Sequence, residues 1–252
     1  MESLSFLSIN DHPLSIEEAV KYLQASGKLS QFIGDILRQY VIEQEIKTRD
    51  DLDINPAFIE QAVIDFRLKN QLTQPQIFQE WLQTNGTDYQ AFHSSITLGF
   101  KLEKLKTVLT QTSIPEYFIE KKIFLDRIVI SRIIVDNQEL CEELRTQIEE
   151  GGSFEQLAKE YSLTDDRIMN GMMGAISRGT MPDTLRAAID VASLGQLVGP
   201  IELDGRYGLF RVEQFLPASL EDTQLQQALQ NELFEKWLAE KIQTLTVKLQ
   251  MG

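Results

Sequence analysis

Apolar residues along this chain keep two rhythms. From residue 15 to about 124 they recur every three or four positions, the period of helices with one buried face. Ser15 and Glu18 have the spacing of a capping box, and Gly27 supplies the residue that can end the helix they start. Leu29, Phe32, Ile33, Ile36, Leu37, Tyr40 and Val41 predict an amphipathic helix over 30–48. Asn55-Pro56 reads as an N-cap with proline in the first turn, and Phe58, Ile59, Val63 and Phe66 line the face behind it. Thr73 opens a further predicted helix with Ile77, Trp81 and Leu82 inward, stopped at Asn85-Gly86. Thr87 caps a long helix through Phe92, Ile96, Phe100, Leu105 and Leu109, and Pro115 begins a shorter one ending near Phe124. Residues 1–124 therefore read as all-helical, with short connections and no repeat or low-complexity tract.

Between 126 and 214 the rhythm changes. Ile128 to Val135 is a β-branched run of strand length. Asn137 to Glu150 returns to helical spacing with Leu140, Cys141, Leu144 and Ile148, and Gly151-Gly152 ends it. Ser153 with Gln156 caps a helix that buries Phe154, Leu157 and Ala158. Leu197–Leu203 and Tyr207–Phe215 predict a hairpin about Asp204-Gly205. Ser219 is expected to cap a last helix reaching about 249, with Leu225, Leu229, Leu233, Trp237, Ile242 and Leu245 on its apolar face. A stripe that wide needs a partner, and we expect the helix to return to the N-terminal helices.

Charge narrows the partners. The formal net charge is −14, and residues 126–216 carry 9 Lys and Arg against 16 Asp and Glu, half of that excess. Acidity spread in this way disfavours nucleic acid and anionic lipid. No apolar run is long enough for membrane insertion. Met1 to Asn10 lacks the basic region and long apolar core of a signal peptide, so a cytoplasmic protein is the simplest expectation. Cys141 is the single cysteine, on the apolar face of its helix, and reads as core. No Cys/His cluster offers a metal site, and the two histidines, His12 and His93, lie in the helical region.

The central stretch resembles a parvulin-type peptidyl-prolyl cis-trans isomerase domain. The resemblance rests on Gly151-Gly-Ser-Phe-Glu-Gln-Leu-Ala-Lys-Glu-Tyr-Ser162, Ser177-Arg-Gly-Thr-Met181 and Gly199-Pro200-Ile201, in that order. The flanking helices resemble, in layout, the chaperone lobe of SurA-like parvulin foldases. The implied fold class is α+β: a small antiparallel sheet flanked by helices, plus an all-α lobe built from the N-terminal helices and the long C-terminal helix. The implied domains are a helical lobe over 1–124, a parvulin-like domain over 125–216, and a C-terminal helix over 217–252 packing back on the lobe.

The resemblance implies a client and a site. The client is an unfolded or extended polypeptide containing proline. Rotation about its X–Pro bond crosses a barrier of about 18–20 kcal/mol without making or breaking a bond, so no cofactor is needed. A catalyst can hold the ring in an apolar pocket and bind the twisted amide more tightly than the planar one. The family's pocket positions correspond to Met173, Met181 and Leu185. Its polar positions correspond to Arg132, Thr164 and Phe210, where Arg132 and Phe210 replace two histidines. Met172 replaces an acidic residue in Asn170-Gly-Met-Met-Gly174. Strand alternation sets Arg132 on one face with Ile130 and Ile134, so its charge needs a carboxylate, a polar cleft or an exit to solvent. Thr164 could bond a substrate carbonyl, and Asp165 suits a cap or turn. Three functions fit: an isomerase and foldase, a noncatalytic chaperone using the domain to bind, or an accessory to the export of one client. Dimerisation through the long helices is left open.

Overall fold

A computed structural model describes residues 5–249; residues 1–4 and 250–252, which include the first part of the stretch read for a leader and the last of the C-terminal segment, lie outside it. The chain divides into two compact units, Met1–Ser113 with Ala228–Gly252, and Ile114–Gln227. Among the described residues no helix is long and apolar enough to cross a membrane.

The first unit corrects the all-helical reading at its start. Strands β1 (Ser5–Ile9) and β2 (His12–Ser15) pair as an antiparallel hairpin, with Ile9 opposite His12. Asn10 and Asp11 both take positive φ, 49° and 64°, as a two-residue hairpin turn demands. Asn and Asp bear that conformation better than other side-chain-bearing residues. Helix α1 (Ile16–Ala25) opens on the capping box: the Glu18 amide donates to Ser15 Oγ at 3.2 Å, and the Ser15 amide donates to Glu18 Oε2 at 2.9 Å. Helices α2 (Leu29–Lys47), α3 (Pro56–Lys69), α4 (Pro75–Thr84) and α5 (Tyr89–Thr110) follow. Asn55 Oδ1 accepts from the Ala57 amide at 3.0 Å ahead of α3.

Two helices start later than the sequence suggested. The N-cap of α4 is Gln74, not Thr73, and its inward residues are Phe78 and Leu82, while Ile77 is exposed. Phe78 is drawn in by rings: it meets Phe92 edge-on at 5.4 Å, and Phe66 meets Trp81 at 5.3 Å. The cap of α5 is Asp88, whose Oδ1 accepts from the Ala91 amide at 2.7 Å, and not Thr87.

The second unit begins with α6 (Ile114–Leu125), which the sequence reading had placed in the helical lobe. Strand β3 (Arg127–Val135) comes next, then α7 (Gln138–Glu149) and α8 (Phe154–Tyr161). A 3-10 turn (Asp165–Met169) leads to β4 (Met172–Ser177), and a second (Arg178–Thr180) leads to α9 (Asp183–Asp190). Strands β5 (Leu197–Leu203) and β6 (Arg206–Leu216) close the unit as a hairpin, with Asp204 and Gly205 at φ 51° and 77°.

The sheet is antiparallel in the order β4-β3-β6-β5. Because β3 is central, both of its faces are buried. Ile128, Ile130 and Ile134 pack with Phe210, Val212 and the α9 residues Leu185 and Ile189. Ile133 and Val135 pack on the other side with Cys141, Leu144, Phe154 and Ala158 from α7 and α8. Each buried Val, Leu, Ile or Phe among them contributes about 1.5–3 kcal/mol relative to exposure.

Asp126 ties the ends of this unit together. Its carboxylate accepts from Lys122 Nζ, from Arg178 Nη1 at 3.1 Å and from the Ala218 amide at 2.9 Å. Burial pushes its pKa up, but the Lys122 bond, the Ala218 amide and the nearby cations outweigh it and hold the carboxyl below its ordinary value.

Helix α10 (Thr223–Gln243) ends the chain. It starts at Asp222, whose Oδ1 accepts from the Gln224 amide at 2.9 Å, rather than at Ser219. It stops well before 249, where Thr244, Thr246 and Val247 introduce β-branched residues of low helix propensity. Phe234 and Leu238 pack with Val41, Ile42 and Ile46 of α2, with Leu52, and with Leu105 of α5. Arg38 and Glu235 add a two-pronged pair, one arm at 2.6 Å.

Candidate functional site on the sheet

The residues singled out from the sequence fall on one sheet face and one edge. Arg132 lies opposite Phe210 in the β3–β6 register, so both side chains leave the sheet on the side of α9. Phe210 is 1% exposed and belongs to the apolar cluster that also holds Met181, at 6%, and Leu185, at 4%. Met173 packs against that cluster and is half-buried. The four apolar positions are thus brought together, and Met173 presents the most surface of them. Gly208, one turn of the register away, lets Phe210 lie close: a Cβ there would stand 2.6 Å from the ring and 2.9 Å from Ile134.

The polar positions meet at a residue that sequence reasoning missed. Strand β4 pairs only with the first half of β3, from Arg127 to Ser131. The other half is bordered by the loop 162–171. The Leu163 amide donates to Ile134 O at 2.9 Å, the Ile134 amide donates to Ser162 Oγ at 3.1 Å, and the Arg132 amide donates to Gly171 O at 2.8 Å. Inside this loop Asp166 gathers the side chains. Arg132 Nε donates to its Oδ2 at 2.7 Å, and Thr164 Oγ1 donates to its Oδ1 at 2.5 Å. Ser162, itself buried, lies 3.0 Å from Thr164 Oγ1. Arg132 therefore finds a carboxylate, the first of the exits its position required. The signal for Asp166 was the demand of Arg132 for an anion; two adjacent aspartates, Asp165 and Asp166, hid which one answers it.

Gly171 fixes the loop against the strand. It has φ +81°, and a Cβ on it would fall 2.3 Å from Arg132 O. Only glycine meets both conditions. The 3-10 turn, closed by Asn170 at φ 59°, delivers Gly171 to this point.

Elsewhere the candidate chemistry is quiet. Burial, with Glu142 adding to it, pushes the Cys141 thiol up to about 11. His93 Nε2 lies 3.1 Å from Glu60 in the first unit, and His12 is exposed on β2. Among the described residues no group of His, Cys, Asp and Glu is arranged to hold a metal ion.

Comparison with known proteins agrees with this geometry. The family model of the PPIC-type PPIase (rotamase) domain matches residues 131–214. The chain is 28% identical over 153 residues to the foldase protein PrsA of Bacillus subtilis, a match covering 59% of this chain and 51% of that protein. It is 24% identical over 195 residues to PrsA 2 of Listeria innocua, covering 75% and 62%. A match to PrsA of a Geobacillus strain spans only 37% of that protein, at 28% identity over 105 residues and 41% of this chain. The matched stretches thus cover under two thirds of these relatives. Among solved structures, PrsA from Bacillus cereus aligns with a TM-score of 0.46 at 16% identity, covering 100% of this chain and 95% of that one. Residues 131–214, with their four-stranded sheet and flanking helices, match the PPIC-type, or parvulin, domain family, in a chain similar to the PrsA foldases.

Proposed function

We propose that this protein is a foldase that binds extended, proline-containing polypeptide on the α9 face of its sheet and speeds X–Pro isomerisation there without a cofactor. The observation that carries this reading is the match of 131–214 to the PPIC-type domain, with Met173, Met181 and Leu185 grouped on one face beside Arg132. The proline ring would rest on half-buried Met173 and the rim of this group, and the methionines can adapt to its shape. Arg132 commits its Nε to Asp166, which orients the guanidinium and leaves its terminal nitrogens to donate to the substrate's proline nitrogen, whose lone pair becomes available only as the amide twists and loses resonance. A donor that bonds the twisted amide more tightly than the planar one lowers the barrier, and each factor of ten in rate corresponds to about 1.4 kcal/mol.

The test is exchange NMR on short X–Pro peptides with varied residues before proline. We expect acceleration over buffer, reduced by Arg132→Ala and by Asp166→Asn, which keeps the loop but loosens the guanidinium. A rate equal to buffer across the whole peptide series overturns the catalytic reading.

One observation favours a second reading, a noncatalytic binding module. Phe210, Met181 and Leu185 are all under 7% exposed, so a ring could find only Met173 and the rim of the cluster. A binder of this kind shifts chemical shifts at Met173 on peptide addition, and suppresses client aggregation, while leaving the isomerisation rate at its buffer value.

A further inference from the structure

Sulfur gathers at the sheet site. Four of the chain's six methionines, Met169, Met172, Met173 and Met181, fall between 169 and 181, and the other two are Met1 and Met251. The single cysteine, Cys141, is buried with Leu144 and Phe154 on the far side of the sheet. An oxidant in solvent therefore meets thioethers in this unit and not a thiol. The four thioethers differ in reach. Met169 is 64% exposed at the end of its 3-10 turn, Met172 is 50% exposed on β4, Met173 is half-buried and Met181 is buried.

They differ in direction too. Met172 stands opposite Ser131 in the β3–β4 register, so strand alternation carries Met173 to the other face, with Ile130 and Arg132. Among the described methionines, Met173 alone both meets solvent and packs on the apolar group beside Arg132. An oxygen on that sulfur changes the face in two ways. It makes a flexible apolar side chain polar, and Ile130, Leu185 and Phe210 around it offer no donor. It also adds an acceptor on the face of Arg132, whose Nε is held by Asp166 at 2.7 Å and whose terminal nitrogens serve the twisted amide. A sulfoxide oxygen accepting from those nitrogens takes the place of the substrate.

We propose that Met173 is a site of reversible oxidation, at which a hydroperoxide turns the thioether into a sulfoxide and closes the α9 face to proline-containing client. The inference rests on the reading of that face as the client site. In the step, the sulfur lone pair attacks the terminal oxygen of the hydroperoxide. The S–O bond forms as the O–O bond breaks, and sulfur is oxidised while the peroxide is reduced. The proton of the transferred hydroxyl passes to the departing alkoxide or hydroxide, which leaves as alcohol or water. A dithiol reverses the step: the oxygen departs as water and the dithiol becomes a disulfide. Met169 and Met172 oxidise by the same chemistry, but Met172 leaves the sheet on the opposite face and Met169 lies out on the turn, so neither closes the site.

Hydrogen peroxide acting on the full chain tests this. Mass mapping of proteolytic peptides follows each methionine with time, and the anisotropy of a fluorescein-labelled Ala-Leu-Pro-Phe peptide reads binding before and after. Met169 and Met172 should oxidise first, Met173 next and Met181 last. The peptide Kd should rise at least about tenfold as Met173 converts. It should return when both epimer-specific methionine sulfoxide reductases act with dithiothreitol. The ratio of treated to untreated Kd is compared between variants. Met169→Leu with Met172→Leu should keep the full ratio, and Met173→Leu should bring it close to unity, whatever that variant's starting affinity. Circular dichroism separates a closed site from a damaged fold. The proposal is overturned by a ratio near unity at full conversion of Met173, by a ratio that persists in Met173→Leu, by Met173 oxidising no faster than Met181, or by binding lost together with the helical signal. Untreated protein that binds no peptide overturns the functional reading and this inference with it, whereas binding indifferent to peroxide overturns this inference alone.

Discussion

The β3–β6 sheet and the segment 6–40 have comparable amounts of secondary structure and opposite kinds of support. Ile128, Ile130 and Ile133 are fully buried, one or other face of the same strand, while α1 has no buried residue. The segment instead carries strong local signals: a reciprocal capping box, a turn of two left-handed residues and a glycine at φ +71°. Local signals set where elements start and stop. They do not supply the burial that makes an element stable, which is why most helical stability comes from packing an apolar face. The sheet unit has both; the segment 6–40 has the first and little of the second.

The widest separation should appear in core truncations. Phe154 is 2% exposed, and the Arg211 guanidinium lies over its ring at 4.7 Å. Phe154→Ala should cost about 3–5 kcal/mol in urea unfolding, whereas Phe6→Ala should cost less than about 0.5 kcal/mol. Equal losses would remove the contrast.

Asp126 offers the next largest effect. Removing its charge takes the carboxylate from Lys122, Arg178 and the Ala218 amide, although Arg178 keeps Asp190 at 2.6 Å and Lys122 keeps Ala218 O at 3.3 Å. Asp126→Asn should destabilise the sheet unit by about 2–3 kcal/mol, less than for a fully buried pair because both cations keep contact with water. The folded pKa lies below the unfolded one, so the stabilising contribution is complete above the unfolded carboxylate value and is lost as pH falls through the folded value. The native protein should therefore lose stability in acid more steeply than Asp126→Asn. Parallel acid profiles would show that other carboxylates govern that loss.

Backbone constraint gives a smaller separation. Gly171→Ala puts a methyl 2.3 Å from Arg132 O at positive φ, and should cost about 2–3 kcal/mol together with the Arg132–Asp166 geometry. Gly27→Ala meets open space, so only the conformational term of about 1 kcal/mol remains. Similar values for the two would mean that the loop 162–171 yields, and that Gly171 does not hold it to β3.

How far the sequence disclosed all this follows the same division. The strand of 127–135, the Asp204-Gly205 hairpin and the caps at Ser15, Asn55 and Ser153 were legible, since each signal lies within a few residues. The hairpin of 5–15 was missed because its strands are too short for a clear alternation. Ile77 was chosen over Phe78 because helical spacing alone does not reveal the ring cluster of Phe66, Trp81 and Phe92. At the site, a need for a carboxylate near Arg132 was legible, but its supply by Asp166 depends on a loop folded back by Gly171. Contacts between distant parts of the chain leave only such one-sided traces.

Cys141 gives the smallest effect and the cleanest gauge of which region opens. It is 0% exposed behind Leu144 and Phe154, and its thiol is pushed up to about 11. In the native fold near pH 8 the buried thiol is protonated and out of reach of solvent. A thiol reagent should therefore modify it only through opening of the α7–α8 layer, at a rate that falls with every substitution that stabilises the sheet and rises with Phe154→Ala. A cysteine introduced at Ile16, which is 65% exposed, should react at once. If Cys141 reacts as fast as Cys at 16, the layer over β3 opens as freely as the segment 6–40, and the two regions do not differ in the way their burial implies.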